Sequence, residues 1–419
     1  MSNFVHSFFL KGTIMKKPEL LAPVGDMTRL RYAIAYGADA VYLAYREFGM
    51  RAAAGNFDAE ELATAIELCH SKGVKLYVTV NTYPTVEETA RLPDFFKQMA
   101  LLGPDAFIIA DIGVMSLAKE YAPNVPIHVS TQANITNGVT ALAYQKLGAT
   151  RIVLAREVSL EQIRAIREMV GDELEIECFV HGAMCMSVSG RCHLSAFLTG
   201  RDANRGACAQ PCRWEYTITE RTREGQYFPV EQDGKGTYIF NSKDMCMVDH
   251  IDDLMDAGVD SFKIEGRMKT FYYVASTVKA YRQAIDEYCA LGKISRPEYH
   301  LMQAGKASHR DFSTGFYYAP MGADGFNTLD GGYIRPYDVV ATVEHWQDGR
   351  VLICQKNKFA VGDELEVLSP DKDDFTFRVE SLTTEEGESV ADAPHSQQLL
   401  WIPCPTPLSN MDILRKKNN

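Results

Sequence analysis

The sequence predicts an α/β protein: a TIM-like (β/α)8 barrel with a cysteine-rich insertion after its seventh strand, plus a small C-terminal β-barrel domain. Three observations lead to this prediction. Short β-branched runs alternate with amphipathic helical stretches over residues 15–292. A group of four cysteines follows the seventh of these runs. From residue 337 onward the pattern changes to short alternating strands separated by turn residues.

The barrel prediction depends on the number of strand–helix units. The strand candidates are PELLAP from Pro18, AVYLA from Ala40, KLYVTVN from Lys75, AFIIAD from Ala106, IHVSTQANI from Ile127, RIVLARE from Arg151, LEIECFVHG from Leu174 and SFKIEGR from Ser261. Eight such units in residues 15–292 favour a closed barrel, with a doubly wound open sheet as the alternative.

The helices between these strands have recognisable ends. Thr85 with Glu88, and Ser159 with Gln162, have the capping-box spacing that satisfies free amides at a helix N-terminus. Glycines are predicted to close the preceding helices, namely Gly37, Gly73, Gly103, Gly148 and Gly258.

Length and charge restrict the class of function. A chain of 419 residues with 46% hydrophobic content can bury one large core and a smaller one. The net charge of −12 argues against a protein that coats nucleic acid through bulk electrostatics. An RNA partner would therefore be recognised by a local patch.

The N-terminus and the cysteine content indicate a compartment. Residues 1–14 lack the features of a secretory signal. Met15 followed by KKPELLAP is a better translation start, so residues 1–14 are interpreted as a non-structural extension that results from the chosen start codon. The alternative is a short disordered extension. No stretch has membrane-spanning length. Ten cysteines without an export signal indicate a reducing compartment, so we expect a cytoplasmic protein without membrane association.

Polar residues at the predicted strand ends should converge on one mouth of the barrel, where active sites of this fold lie. They are Asn81, Asp111, His128, Gln132, Asn134, Arg156, Glu157, His181, Glu265 and Arg267. Each of these residues, taken alone, is as likely to form a structural hydrogen bond as to bind a substrate. Only the group as a whole therefore indicates an active site. Candidate substrate-binding residues are His128, Gln132, Arg156, His181, Arg205, Glu265 and Arg267. No catalytic acid or base is singled out.

The insertion after the seventh strand, residues 182–236, carries Cys185, Cys192, Cys208 and Cys212, with six, fifteen and three residues between successive members. Thiolates suit zinc or iron–sulfur clusters. Structural zinc sites usually use paired cysteines two to four residues apart, which only the last pair satisfies, so iron–sulfur is preferred; zinc and unmetallated or redox-active thiols remain alternatives. Cys178 is interpreted as core, and Cys246, near a predicted helix start, as a reserve ligand.

The same insertion holds a basic, aromatic patch made of Arg191, Arg201, Arg205, Arg213 and Trp214. Such a patch can hold phosphates and stack a nucleobase. An equally good interpretation is that the arginines neutralise an anionic cluster and pair with local acids.

Two further segments follow the barrel. Residues 293–336 are rich in glycine and aromatic residues and are expected to pack on the barrel. Residues 337–419 carry the strand candidates DVVATVEHW, RVLICQ, DELEVLS and FTFRVESL of the predicted β-barrel domain. Small barrels often bind RNA or a partner surface, which is an analogy of fold.

The string ECFVHGAMCMSVSGRCHLS strongly resembles the signature of the collagenase-like U32 peptidase family. The resemblance extends over the barrel through PELLAPVGDMTRLRYAIAYGADAVYLA, HVSTQANITN, NRGACAQPCRW, NSKDMC and DSFKIEGRMK. HRDFSTGFYY and the C-terminal domain resemble long-form members.

The resemblance implies oxygen-independent hydroxylation, which family members perform on the wobble uridine of tRNA, on a ribosomal RNA cytidine and on ubiquinone precursors. The long form resembles the tRNA branch, which makes 5-hydroxyuridine and is associated with prephenate. It implies a four-iron four-sulfur cluster on Cys185, Cys192, Cys208 and Cys212, the tRNA anticodon region as partner, prephenate as a candidate co-substrate, and a paralogous family member as a candidate partner subunit.

Two other functions stay open. A peptidase is suggested by the family name, although the chain has neither an HExxH helix nor a serine elbow. A non-catalytic, cluster-containing RNA-binding subunit is the third class.

Overall fold

The computed structural model describes residues 16–50, 56–185, 187–214, 232–233, 236–237, 242–320 and 333–418. The predicted extension 1–14 lies outside the described residues, as do most of the second half of the insertion, part of the connecting segment and the Arg213 side chain. No helix in the described ranges is long and apolar enough to cross a lipid bilayer.

Eight parallel strands form the barrel, and all eight confirm predicted strands. They are β1 (Glu19–Pro23), β2 (Ala40–Ala44), β3 (Lys75–Val80), β4 (Ala106–Ile109), β5 (Ile127–Val129), β6 (Arg151–Val153), β7 (Glu175–Ala183) and β8 (Ser261–Ile264). Each pairs with the next, and β8 pairs with both β7 and β1, so the sheet closes. The barrel is therefore confirmed, and the open-sheet alternative is excluded.

Helices pack around the barrel in the expected alternation. They are α1 (Met27–Ala35), α2 (Ala59–Ser71), α3 (Val86–Thr89), α4 (Leu92–Leu102), α5 (Ile112–Tyr121), α6 (Gly138–Lys146), α7 (Leu160–Val170), α8 (Leu194–Thr199), α9 (Ile251–Asp256), α10 (Phe271–Leu291) and α11 (Pro297–Gly305). Both predicted capping boxes are present, at the starts of α3 and α7. The five predicted terminal glycines have φ between 69° and 98°, which only glycine adopts without strain.

The described part of the β7–β8 connection holds three short strands that were not predicted, and two of them, Gln232–Asp233 and Gly236–Thr237, pair with each other. The short strand Asp244–Cys246 pairs antiparallel with the last residues of β7, and Cys246 lies opposite His181. It also pairs with Phe312–Ser313 from the connecting segment. Cys246 therefore ends a short strand, and α9 begins soon after it at Ile251, as the predicted nearby helix start requires. The strand forms because β7 has nine residues and its last residues pair with this segment.

The C-terminal domain is an antiparallel β-domain with its own core. Its strands are β9 (Tyr337–Gln347), β10 (Arg350–Gln355), β11 (Phe359–Ala360), β12 (Glu364–Leu368), β13 (Phe375–Arg378), β14 (Leu382–Thr384), β15 (Ser389–Val390), β16 (Asp392–Ala393), β17 (Leu399–Pro403) and β18 (Ile413–Lys417). The main sheet has the order β13-β12-β18-β9-β10-β17-β14-β15. Side chains such as Val343, Ile353 and Leu400 fill the core.

Buried charges join this domain to the barrel. Arg415 on β18 lies 2.6 Å from Asp374, and Lys279 on α10 lies 2.7 Å from the same carboxylate group. Lys306 pairs with Glu366 at 2.8 Å. Because all five side chains are largely buried, the network specifies one docking position of the domain on the barrel.

Candidate functional site

A cavity of about 290 Å³ opens at the C-terminal ends of the barrel strands. Residues at or beyond the ends of β3, β5, β6 and β8 form one side of it, and the cysteine-rich insertion forms the other. Cys185, Cys192, Cys208 and Cys212 all line this one space. We call it the mouth cavity; active sites of this fold lie at this end.

Amides and hydroxyls make one wall of the mouth cavity. Asn81 follows β3 and donates from Nδ2 to Oε1 of Gln132 at 3.0 Å. Ser130 donates from Oγ to the same oxygen at 2.6 Å. These bonds orient the Gln132 side chain through its amide oxygen, and its side chain lines the cavity.

Arg156 crosses the cavity from the end of β6. Its guanidinium carbon lies 3.9 Å from the centre of the Phe179 ring, and Nη1 donates to the Ala183 carbonyl at 2.7 Å. The Arg156 Nε is buried and has no hydrogen-bond partner within the described residues. A buried donor without a partner is costly, so this nitrogen is suited to an acceptor on a bound molecule.

Strand β8 and the residues that follow it carry a charge at every second position, and Lys263, Glu265 and Arg267 all line the cavity. The Arg267 guanidinium donates to the Met50 carbonyl at 2.7 Å and to Asn56 at 2.8 Å. Glu265 and Arg267 were predicted from the sequence, whereas Lys263 was not. The period-two spacing in SFKIEGR was the signal that identifies it.

Two of the four thiols accept hydrogen bonds from the backbone. The Leu194 amide donates to Cys192 Sγ at 3.4 Å, and the Gln210 amide donates to Cys208 Sγ at 3.3 Å. Each donor lies two residues after its cysteine, and Gln210 adopts a left-handed φ of 57°. These bonds fix the positions of the two sulfurs at the edge of the mouth cavity.

The insertion is fastened to the barrel mouth by polar contacts. Glu157 accepts from the Ser189 amide at 2.8 Å, and Asn134 accepts from the Ser189 hydroxyl at 2.9 Å. Arg191 Nε donates to the Gln132 carbonyl at 2.7 Å. Two predicted mouth residues, Asn134 and Glu157, therefore position the cysteine loop.

The donor chemistry of this loop fits a four-iron cluster. Each thiolate of such a cluster binds a different iron atom, so the four sulfurs surround a volume. A single zinc ion would need them to converge on one point. Within the described ranges, no group of three or more His, Cys, Asp or Glu side chains is placed to hold one metal ion. All four thiols line one cavity, and thiolates are ligands of both four-iron clusters and zinc.

His128 is not among the described residues that line the mouth cavity, which corrects that expectation. It is 4% exposed, and its ring packs edge-on against Tyr77 with centroids 4.6 Å apart. Burial, together with the charges of Arg151 and Lys263, lowers the pKa of His128 well below its usual range. The ring is therefore neutral in the barrel interior.

His181 also lies away from the cavity. The β7–β8 pairing shifts register between Phe179–Lys263 and His181–Ile264. Beyond this irregularity, His181 packs against Tyr281 and Phe312, with ring centroids 5.6 and 5.5 Å away. Burial lowers the pKa of His181 to about 3. The prediction of a mouth histidine failed because a bulge reverses the strand's alternation.

Cys246 is separate from the four clustered cysteines. It is buried beside Tyr281, whose hydroxyl lies 4.0 Å from Cys246 Sγ. Burial raises the pKa of the Cys246 thiol to about 12, which keeps it protonated. Cys246 is therefore a core residue, and its interpretation as a reserve ligand is corrected. Cys178 is buried, as predicted.

Arg205 lies at the rim outside the cavity. It pairs with Glu88 at 2.7 Å and donates to the Tyr83 carbonyl at 2.9 Å. Its ion pair lowers the pKa of Glu88 to about 2. Arg201 donates to the Ala207 carbonyl. At these two positions of the predicted basic patch, the arginines hold neighbouring chain segments in place.

The fold and site together define a (β/α)8-barrel protein whose active-site end carries a four-thiol insertion facing a polar, cationic wall. The chain belongs to the peptidase U32 family. The model for peptidase family U32 matches residues 25–326, and that for the peptidase family U32 C-terminal domain matches residues 335–415.

Three relatives illustrate the range of names within this family. The chain is 38% identical to the tRNA hydroxylation protein P of Escherichia coli, over 94% of this chain and 95% of that one. It is 35% identical to the tRNA hydroxylation protein P1 of Bacillus subtilis, over 97% and 96%. It is 40% identical to a protein of Porphyromonas gingivalis named collagenase, over 65% and 66%.

Proposed function

We propose that this protein is an iron–sulfur enzyme that hydroxylates the wobble uridine of tRNA to 5-hydroxyuridine without molecular oxygen. The observation that carries the proposal is the mouth cavity, in which four cysteine thiols face a wall of amides and cations. Similarity to two tRNA hydroxylation proteins over nearly the whole chain supports the choice of substrate.

Cys185, Cys192, Cys208 and Cys212 would hold a four-iron four-sulfur cluster, which when bound supplies electron transfer beside the reacting base. The remaining chemistry belongs to the chain's own side chains. Arg156 and Arg267 provide fixed positive charge for an anionic co-substrate, for which prephenate is our candidate. Gln132 offers its amide nitrogen to the edge of a pyrimidine.

Access requires an unpaired base. A uridine in the anticodon loop can leave its stack and enter a cavity of this size, whereas a base inside a duplex cannot. Trp214, on the insertion, is 42% exposed and offers an aromatic face to the RNA. We propose the anticodon region as the RNA partner and a paralogous family member as a partner subunit, which native co-purification would detect.

The test uses a deletion strain complemented with wild-type protein, Cys192→Ser, Cys208→Ser or Cys289→Ser. Cys289 is an exposed cysteine on α10 and serves as the matched control. We expect the wild type and the control to restore 5-hydroxyuridine derivatives in tRNA and to retain iron and sulfide after anaerobic purification. The two cluster variants should lose both. An unchanged nucleoside profile on deletion rejects the proposed reaction.

The peptidase function is the second candidate because one relative is named a collagenase. Histidine is absent from the described side chains that line the mouth cavity, so they supply no His base for a Ser or Cys nucleophile. Gelatin cleavage by cluster-free protein, abolished by chelators, would favour the peptidase. If the wild type binds tRNA but deletion leaves every nucleoside unchanged, a non-catalytic RNA-binding subunit is favoured.

A further inference from the structure

A second cavity, of about 630 Å³, lies beside the mouth cavity. One wall is the β8–α10 connection, residues 265–271, and the other comes from the start of the C-terminal domain, including Tyr337 and Asn357. Glu265 lines both cavities, so the two adjoin. Ligand sites commonly have volumes of roughly 300–1,000 Å³. We call this space the interdomain cleft.

The cleft gathers three cations, of which Lys356 donates to Cys354 Sγ at 3.2 Å. Lys269, Arg335 and Lys356 all line it. In the part of the chain that the structure describes, none of the three forms an ion pair with a carboxylate. Two carboxylates, Glu265 and Asp338, also line the cleft, so its charged residues carry a net positive charge on a protein whose overall charge is −12. This local reversal of sign favours an anionic ligand.

Aromatic rings lie among these cations. The Lys269 ammonium lies 4.5 Å from the centre of the Tyr333 ring and 5.3 Å from that of Tyr273. Tyr333 is 39% exposed, and Phe271, Tyr272 and Tyr337 also line the cleft. Sites for single-stranded nucleic acid typically combine cations, which contact the phosphates, with aromatic rings, on which the bases stack.

The cleft is held open by buried contacts. The Tyr272 hydroxyl accepts from Arg415 Nη1 at 3.2 Å and donates to the Lys306 carbonyl at 3.0 Å. Tyr337 donates to Glu366 at 3.4 Å. These tyrosines line the cleft and belong to the charge network between the domains. The two walls therefore keep a set separation, which reduces the ordering cost of binding.

We propose that the interdomain cleft binds a nucleotide of single-stranded RNA next to the one that enters the mouth cavity. Its phosphates contact Lys269, Arg335 and Lys356, and its base stacks on Tyr333. The inference rests on the proposed function, since the RNA is then the tRNA anticodon loop. It assigns to the C-terminal domain the role of holding the loop while the neighbouring base is modified.

The test measures binding of an anticodon stem-loop RNA to cluster-loaded protein by fluorescence anisotropy at several salt concentrations. Arg335→Ala/Lys356→Ala removes two cleft cations. Arg350→Ala/Lys358→Ala removes two exposed cations elsewhere on the same domain and is the control. We expect the cleft variant to bind at least tenfold more weakly and to lower the slope of log Kd against log salt by about 1.4, at roughly 0.7 per phosphate contact. The control should change Kd less than twofold.

Base stacking is tested separately with Tyr333→Ala, for which Tyr318→Ala is the exposed aromatic control. We expect Tyr333→Ala to weaken binding about tenfold with an unchanged salt slope. Equal affinities of the cleft and control variants overturn the inference, as does an acidic peptide that competes as well as the RNA. Because no turnover is measured, these results are independent of the nucleoside profile that tests the reaction.

Discussion

The Lys263 ammonium lies 2.7 Å from the Glu177 carboxylate inside the barrel, where their side chains are 5% and 0% exposed. Arg151 reaches the same carboxylate at 3.1 Å and also binds Glu19 and Glu175. Burial lowers the pKa of Lys263, and Glu177 offsets part of that shift. The pair connects the charge network of the barrel interior to the wall of the mouth cavity.

Lys263→Met should therefore destabilise the barrel. Glu177 would stay buried with Arg151 as its remaining charged partner, at a cost of about 3 kcal/mol. Urea unfolding measures the loss. Lys358→Met, which removes an exposed ion pair with Asp392, should cost less than about 1 kcal/mol. The double variant Lys263→Met/Glu177→Gln should recover part of the lost stability, because it removes the buried charge. A double variant that is less stable than Lys263→Met would show that the unpaired Glu177 charge does not cause the loss.

The buried His181 should make stability depend on pH. Its pKa is about 3 in the folded protein, against about 6.5 unfolded, so between these values the unfolded chain binds the extra proton. Stability is therefore complete above about pH 6.5 and falls as the pH drops toward 3, by about 2 kcal/mol between pH 7 and pH 5. His181→Phe should remove this part of the slope in urea titrations. If stability depends on pH equally in the variant and the wild type, His181 is not the source of this pH dependence.

The barrel was predictable because its signals are local. Each strand run and capping box depends on residues close in sequence, so eight strands and both boxes were found. The grouping of Cys185, Cys192, Cys208 and Cys212 was likewise visible in the spacing. Their placement on the mouth cavity follows from the fold, because an insertion after a barrel strand begins at that end.

The failed predictions depend on long-range pairing. His181 and Cys246 lie opposite each other because a distant segment adds a strand to β7, and no local pattern indicates that partner. Asp111, another predicted mouth residue, caps α5 instead. The interdomain cleft arises from domain docking, so its cations come from segments far apart in sequence. Lys263 is different, because its period-two spacing with Glu265 and Arg267 is a local signal that could have been used.

Arg156 should be required for activity with little effect on stability. Arg156→Lys keeps the charge but loses the stack on Phe179 and the planar set of donors. We expect kcat/KM for tRNA hydroxylation to fall about 10- to 100-fold, because misplaced charge weakens positioning of the reacting groups. Arg164→Lys, an exposed change on α7, is the control. Equal kcat/KM values for Arg156→Lys and Arg164→Lys would show that Arg156 does not contribute to the reaction.

Arg415 should govern docking of the C-terminal domain. It is fully buried and lies 2.6 Å from Asp374, while the neighbouring Lys416 is partly exposed and pairs with Asp363 at 2.7 Å. Arg415→Met should cost about 3 kcal/mol because it breaks a buried pair, whereas Lys416→Met should cost less than about 1 kcal/mol.

The same change should separate the unfolding of the two domains. With Arg415 absent, Lys306 and Lys279 are the cations that still pair with Glu366 and Asp374 among the described residues, so we expect a second urea transition for the C-terminal domain. Stem-loop affinity should fall although every cleft cation remains, because the walls of the cleft lose their set separation. If Arg415→Met unfolds in one step and binds RNA like Lys416→Met, the network neither docks the domain nor shapes the cleft.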